Sequence, residues 1–189
     1  MGFGAATALL RAGFRVKGVD LRSDVLQEFT ARGGDAYATA KQAGASDIVF
    51  VFVVNAAQAK QVLFGGDGAL SQARQGTVFV LCVTMEPSHC IEIAAELEAS
   101  GMLVIDAPVS GGKQKAATGE LTVMGSGSQQ AFDKAALALE AIAAKVFHLD
   151  DKPGTGSKVK MINQLLAGVH IAATAEALTL SARLGLDLG

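Results

Sequence analysis

The chain of 189 residues is long enough to bury one sizeable core, or one domain with part of a second. Half of its residues are hydrophobic and 22 are glycine, a composition typical of an ordered globular protein with many tight turns. Its 16 lysines and arginines against 18 acidic residues leave a net charge of −2, and no basic run forms a track for phosphates, which argues against nucleic acid as a partner.

Short β-rich runs alternate with alanine-rich helical stretches along most of the chain. Strands are predicted at 14–20, 47–54, 77–83, 102–109, 121–127 and 145–150. Helices are predicted at 2–12, 23–32, 56–63, 87–100 and 128–143. Several strands are apolar on both faces, as expected for a parallel sheet covered by helices on each side. The sequence therefore predicts a doubly wound α/β domain.

Residues 1–20 resemble the second half of a dinucleotide-binding βαβ unit. Gly2 stands at the start of the first helix as the third glycine of G-x-G-x-x-G, so we expect the first strand and the first two glycines to be missing. Asp20 ends the next strand, where a carboxylate accepts hydrogen bonds from the adenosine ribose of NAD and repels a 2′-phosphate. An ordinary strand-end turn acid is the alternative, and Arg22 favours NADP.

Residues 157–184 predict one long helix, with Gly185 as its stop signal. At 1.5 Å per residue it would be about 40 Å long, and it is apolar nearly all round. A helix apolar on every side needs cover on every side, so either a second copy packs there or a following helical domain is missing. We expect a dinucleotide-binding domain over 1–153 and the start of a helical domain over 154–189.

The cysteines and the N-terminus indicate the compartment. Cys82 and Cys90 lack CxxC spacing, and Cys82 in its apolar run is interpreted as a buried reduced thiol, which suits the cytosol. No signal-peptide pattern is visible, and no uncharged stretch reaches the ~18 residues of a membrane span. We expect a soluble, cytoplasmic protein without a membrane partner. No cluster has metal-ligand spacing, so no metal site is expected.

Three stretches carry a family resemblance: "DAPVSGG", the "KQKAATGELTVMGSG" that follows it, and "GTGSKVKMINQ". The pattern D-x-P-V-S-G-G-x-x-x-A-x-x-G-x-L is matched over 106–121. In these motifs the chain resembles the β-hydroxyacid dehydrogenases, the family of 3-hydroxyisobutyrate dehydrogenase, tartronate semialdehyde reductase and the 6-phosphogluconate dehydrogenases. The resemblance covers essentially the whole chain. Within the family, "VKMINQLLAGVHIAATAEAL" is most similar to the threonate dehydrogenase branch.

The resemblance implies a Rossmann-type NAD-binding domain followed by the start of an all-α C-terminal domain. It implies an NAD-dependent oxidoreductase of a small hydroxy acid, L-threonate or a related four-carbon sugar acid, with NADP the less favoured cofactor. In its full-length form the protein would be a homo-oligomer, either a dimer or a tetramer. The alternative is an inactive or truncated dinucleotide-binding remnant without turnover, and we expect this chain alone neither to bind NAD well nor to turn over substrate.

The Ser-Gly-Gly loop is predicted to hold the substrate's carboxylate. Backbone N–H groups around Ser110, Gly111 and Gly112 can converge on an anion because no Cβ intervenes at the glycines. The Ser110 hydroxyl would add a donor. Lys113 is interpreted as a solvated surface charge that raises the local potential. Asp106 is interpreted as a strand-end or turn anchor and not as a catalytic acid.

The family's K-x-x-N-[NQ] motif is matched by Lys160, Asn163 and Gln164. This spacing places the three residues on one helical face. The resemblance implies that Lys160 is the acid/base, a role it could fill near neutrality if burial lowered its pKa from about 10.4. The alternative is a lysine that lays its stem along apolar surface with the amine in solvent. Asn163 would hold the substrate or the lysine in line, and Gln164 would contact substrate.

The loops after two strands complete the predicted cofactor site. The resemblance implies cofactor contacts from Met1, Gly2, Asp20, Val53, Val54 and Thr84. Thr84 and Pro87 match the family's S-T-x-x-P stretch near the nicotinamide. The sequence departs from the pattern here, because "LCVTMEP" lacks the usual Asp-Ser and "VVNAAQ" lacks the usual Leu-Pro.

Overall fold

The computed structural model describes residues 1–187. Its helices are α1 Gly2–Arg11, α2 Ser23–Ala31, α3 Ala40–Gly44, α4 Ala56–Phe64, α5 Pro87–Ala99, α6 Gly112–Thr118, α7 Gln129–Ile142 and α8 Thr155–Arg183, with a short 3₁₀ helix at Ala69–Gln72. Its strands are β1 Lys17–Val19, β2 Asp35–Tyr37, β3 Ile48–Val51, β4 Val78–Leu81, β5 Leu103–Asp106, β6 Val109–Ser110, β7 Leu121–Gly127 and β8 Ala143–His148.

The described strands form two sheets. β1 and β2 make a parallel pair of their own, and the other strands form a sheet in the order β3-β4-β5-β7-β6, with β8 also paired to β7. β3, β4 and β5 are parallel, and β8 is parallel to β7, whereas β7 is antiparallel to both β5 and β6. The predicted parallel sheet is therefore wrong in this half. The connection 111–120 between β6 and β7 is shorter than the dozen or more residues that a parallel crossover needs.

The core lies on both faces of the sheet, which confirms the α/β architecture. In β4, Val78 and Val80 pack in one cluster with α1 and α7, and Phe79 and Leu81 pack in the other with α4 and α5. All four side chains of this strand are fully buried. Burying a side chain of this size contributes about 1.5–3 kcal/mol, so the four residues of β4 make a large contribution to the stability of the fold.

Some short elements escaped the sequence prediction. β2 and α3 are three and five residues long, too short for a clear apolar period. α6 begins in the Ser-Gly-Gly stretch, where the sequence predicted a loop because glycine is a poor helix former. The run predicted as one strand at 102–109 divides into β5 and β6 around Pro108, because proline has no N–H to donate to the ladder.

The long helix α8 confirms the prediction for 157–184 within two residues at each end. Its beginning is buried at Gly156, Ser157 and Lys160, and it packs against β7, β5 and α5. From Met161 onward nearly every residue is exposed, including the apolar ones. By length and composition alone the helix could cross a membrane, and none of its most apolar window is covered by the described residues.

Candidate active site

The Ser-Gly-Gly stretch forms a tight passage from β6 into α6. Gly111 and Gly112 have φ of +130° and +72°, a conformation that side chains with a Cβ rarely adopt. A Cβ on Gly111 would lie 2.9 Å from the Cβ of Lys115, whereas a Cβ on Gly112 would point into open space. The backbone at Gly112 is therefore open to a ligand. This geometry is compatible with the predicted anion cradle.

An open groove of about 460 Å³ lies beside this loop, bordered by β6, β7, β8 and α8. It is lined by Ser110, Thr122, Met124, Phe147, Leu149, Val159 and Asn163. The structure thus brings together Ser110 and Asn163, a predicted substrate residue and a predicted catalytic residue that lie 53 positions apart in the sequence. A largely apolar groove with a few convergent polar groups is typical of a small-molecule site.

Thr122 is a groove residue that the sequence reasoning missed. It pairs with Ser110 across the antiparallel β6–β7 ladder, so the two hydroxyls lie on the same face of the sheet. Within residues 1–187, neither hydroxyl nor the Asn163 amide makes a side-chain hydrogen bond to the protein. The alternation of side chains along the predicted strand 121–127 could have revealed Thr122, because it places every second residue of the strand on the same face.

Lys160 lies in the second turn of α8, one helical turn before Asn163 and next to Val159. The residue is only 7% exposed, and burial lowers the pKa of its amine below the ordinary value. Its neighbour Lys158 is exposed, as the sequence predicted. Gln164 is also exposed and shares the helical face of Lys160. The lysine of the motif is therefore the buried one, on the helix that borders the groove.

Asp106 anchors the beginning of α8, which confirms its interpretation as an anchor. Its carboxylate is fully buried and accepts hydrogen bonds from the Gly154 N–H at 3.0 Å and the Ser157 N–H at 2.7 Å. The Ser157 hydroxyl donates to its second oxygen at 2.8 Å. The sequence did not reveal which segment this residue anchors, since its partners lie 48 and 51 positions away.

The predicted cofactor residues near the sheet gather at the carboxyl ends of parallel strands. Val51 and Leu81, the last residues of β3 and β4, are register partners, so Val53, Val54 and Thr84 lie just beyond the same edge. α1 begins there too, because a Cβ on Gly2 would be 2.9 Å from the Cβ of Phe52. In open α/β sheets this edge is where ligands bind.

Asp20 follows β1 in the separate two-stranded sheet. One of its carboxylate oxygens accepts a hydrogen bond from the Arg22 backbone N–H at 3.0 Å and lies 3.4 Å from the Arg22 guanidinium. Burial, followed by the charges of Lys113 and Arg22, lowers the pKa of the Met1 amine. Two cations therefore lie near the start of α1, together with the carboxylate of Asp20.

The cysteines are buried, and the described residues form no metal-ligand cluster. Cys82 and Cys90 are buried free thiols, as predicted for Cys82, and burial raises the pKa of both. Among residues 1–187 no group of three or more histidine, cysteine or acidic side chains could hold a metal ion.

Comparison with known proteins decides the family. A profile of the NAD-binding domain of 6-phosphogluconate dehydrogenase matches residues 1–150. A second profile, described as NAD-binding of NADP-dependent 3-hydroxyisobutyrate dehydrogenase, matches residues 154–189. The chain belongs to the β-hydroxyacid dehydrogenase family. The family predicted from the Asp106 and Lys160 motifs is confirmed.

Individual relatives support the same family and fold. The chain is 48% identical to an L-threonate dehydrogenase of Cupriavidus necator, covering 99% of this chain and 63% of the relative. It is 47% identical to the Escherichia coli K12 protein of that name, covering 100% and 63%. A crystal structure of 3-hydroxyisobutyrate dehydrogenase from Salmonella typhimurium superposes with a TM-score of 0.92 at 47% identity, covering 98% and 65%. The chain thus spans less than two thirds of these relatives' lengths.

Proposed function

We propose that this protein is an NAD-dependent dehydrogenase of a small hydroxy acid, with L-threonate or a related four-carbon sugar acid as substrate. The observation that carries the proposal is the buried Lys160, one helical turn from Asn163 at a groove whose opposite wall holds Ser110. Several similar proteins are named L-threonate dehydrogenase, which supports this substrate class. The predicted site residues all keep their assigned roles in the proposal.

Lys160 is the acid/base in this proposal. Oxidation of a hydroxy acid requires a base for the hydroxyl proton, and the neutral amine of Lys160 accepts it at Nζ. Burial disfavours the charged form, so the lowered pKa increases the neutral fraction at a given pH. In the reverse reduction the protonated amine returns the proton. Asn163 orients the reacting hydroxyl or the lysine.

The carboxylate of the substrate binds at the Ser-Gly-Gly loop. The N–H groups of Gly111 and Gly112 and the hydroxyl of Ser110 supply the donors, and Thr122 and Gln164 contact the remaining hydroxyls of the acid. Met124, Phe147, Leu149 and Val159 form the apolar wall of the groove, against which the carbon chain of the acid packs.

The chain offers residues that fit a dinucleotide at the carboxyl edge of the sheet. No side chain caps the first turn of α1 and no acidic residue lies in that turn, so its N–H groups are open to a pyrophosphate. Met1, Gly2, Val53, Val54 and Thr84 hold the cofactor there, and Asp20 contacts the adenosine ribose. Bound NAD would supply the hydride acceptor. Arg22 beside Asp20 keeps NADP as the alternative.

The organisation of the whole protein follows from these assignments. In this proposal residues 1–153 are the NAD-binding domain, and the segment 154–189, whose last two residues lie outside the described chain, contains the interdomain helix α8 and begins a helical domain. The exposed apolar length of α8 supports a homo-oligomer, a dimer or tetramer, in which that surface is covered. We place this metabolic enzyme in the cytoplasm, where its buried free cysteines stay reduced.

A panel of hydroxy acids tests the proposal in the full-length protein, with NADH formation as the readout. L-threonate should be oxidised, and Lys160→Ala should lower turnover by about 10²-fold or more without changing NAD affinity. Lys158→Ala is the matched control, because it removes an exposed lysine from the same helix, and it should retain activity. If none of the acids yields NADH, the result would favour a dinucleotide-binding remnant without turnover. Full turnover by Lys160→Ala would refute the role of the lysine.

A further inference from the structure

The first turn of α8 is held by buried polar groups that the proposed chemistry does not use. Gly154 and Ser157 donate their backbone N–H groups to one oxygen of Asp106, at 3.0 and 2.7 Å. The N–H of Gly156, between them, donates to the Ser126 hydroxyl at 3.0 Å. The first N–H groups of a helix have no partner within the helix, and here the ends of β5 and β7 satisfy three of them.

The two anchoring strands are themselves joined at this point. Asp106 and Ser126 are register partners in the antiparallel β5–β7 pair, and the Ser126 hydroxyl is 3.4 Å from the Asp106 carboxylate. Gly156 packs so tightly against these strand ends that a Cβ there would lie 2.7 Å from the Asp106 carbonyl oxygen. The carboxylate also lies at the positive end of the helix dipole, which is the favourable end for an anion. The start of α8 is therefore rigidly attached to the sheet.

This attachment point lies close in sequence to both Lys160 and Ser110. Ser157 precedes Lys160 by three positions and Gly156 precedes it by four, so the anchored residues belong to the helical turn directly before the lysine. Asp106 ends β5 and precedes Ser110, which lies in β6 at the groove, by four positions. We propose that Asp106 is a positioning residue, which sets Lys160 at a fixed distance from the Ser-Gly-Gly loop. This inference rests on the proposed function.

Loss of the Asp106 contacts would change the surroundings of Lys160, and with them the pKa of its amine. Asp106 comes from β5, and α5 contributes the thiol of Cys90, which lies beside Asp106 and Ser157 and whose pKa is raised by burial, so the thiol stays neutral. Burial lowers the pKa of Lys160. If the turn loosens, the amine becomes more exposed to water and its pKa rises toward the ordinary value. A positioning role therefore predicts a shift in the titration of Lys160, which a mere loss of stability does not.

The test compares Asp106→Asn, Ser157→Ala and a matched control in the full-length protein. Asp106→Asn keeps the shape and one acceptor but removes the charge, and Ser157→Ala removes one hydrogen bond, so both are mild enough to fold. Asp150→Asn is the control, because the exposed Asp150 carboxylate accepts a hydrogen bond from Thr155 in the same first turn, at 2.7 Å. The readouts are kcat, the KM values for acid and NAD, and the pH midpoint of Lys160 acetylation measured by mass spectrometry.

Asp106→Asn should lower kcat by about 10²-fold, the scale expected for an ångström of misplacement, with the KM for NAD unchanged. In Asp106→Asn the pH midpoint of Lys160 acetylation should move to higher pH. Ser157→Ala should change kcat and this midpoint in the same directions but by less, and Asp150→Asn should change neither. A wild-type midpoint and kcat in folded Asp106→Asn would overturn the positioning role. The acetylation readout needs no turnover, so a shifted midpoint in a protein that oxidises no acid would support positioning while rejecting the proposed function.

Discussion

Four of the buried polar side chains described in this protein gather around one helical turn: Asp106, Ser126, Ser157 and Lys160. Burying a polar group costs free energy unless it is hydrogen-bonded, and burying an amine also disfavours its charged form. The carboxylate and hydroxyls are satisfied by one another and by the helix N–H groups. The Lys160 side chain makes no hydrogen bond or ion pair in the described part of the chain, which leaves its amine available for the acid/base role that we propose.

Asp20 and Arg22 govern the choice between NAD and NADP in our proposal. The carboxylate repels a 2′-phosphate, whereas the guanidinium 3.4 Å away attracts it. We expect NAD to be preferred, and Asp20→Ser to narrow the ratio of kcat/KM for NAD over NADP because the repulsion is removed and Arg22 is released. Steady-state kinetics with both cofactors measure the ratio.

Arg22→Ser is the matched control for that prediction. It should widen the ratio in favour of NAD, since only the group that attracts phosphate is lost. A wild-type preference for NADP would show that Arg22 dominates, and equal ratios in all three proteins would mean that neither residue contacts the ribose.

The helix α8 is buried at its beginning and exposed over the rest of its length. Its first turn is packed against the sheet, and the rest projects into solvent with Leu165, Leu166 and Val169 more than half exposed. Its glycines reflect this division. Gly156 lies against the Met124 and Asp106 carbonyls, whereas nothing lies within 4 Å of where a Cβ on Gly168 would be.

The two glycines therefore predict opposite effects of alanine. Gly156→Ala should destabilise the protein by about 1–3 kcal/mol, because a Cβ would overlap backbone atoms that cannot move cheaply. Gly168→Ala should stabilise it by up to about 1 kcal/mol, since alanine is the better helix former and meets no neighbour. Urea unfolding followed by circular dichroism gives both values. Equal effects of the two substitutions would show that the first turn is not packed as described.

Taken as a molecule, the chain has a well-covered α/β core and an uncovered helix. The two hydrophobic clusters are closed by helices on both faces of the sheet, but α8 exposes a long apolar surface. Soluble monomers rarely expose contiguous apolar patches of this kind. The relatives it matches are longer, with 63% of the Cupriavidus necator protein covered.

We expect the 189-residue chain, expressed by itself, to self-associate and bind ANS through this surface. Replacing Leu165 and Val169 together by glutamine should reduce both effects, as measured by sedimentation velocity and ANS fluorescence. Leu137→Gln is the control, because Leu137 is a 72% exposed leucine on another helix, and it should change neither. A monomeric wild-type chain without ANS binding would contradict the prediction.

The doubly wound fold, the long helix and the family could all be predicted from the residues, because apolar periodicity and a motif such as 106–121 are local properties of the chain. The direction of β7 was missed, although the connection 111–120 is shorter than a parallel crossover needs. The position of β7 between β5 and β6 in the sheet could not be predicted, because no local pattern encodes which strands become neighbours. Elements of three to five residues, such as β2 and α3, form only because the surrounding core stabilises them.

The candidate site divides in the same way. The types and spacings of Lys160, Asn163 and Ser110 were visible in the sequence, since residues three positions apart must share a helical face. The burial of Lys160, the place of Thr122 in the groove and the partners of Asp106 were not, because each depends on contacts between segments far apart in the chain. Such contacts exist only once folding has brought β5, β7 and the start of α8 together, and burial, which sets the pKa of the lysine, is a property of that assembly.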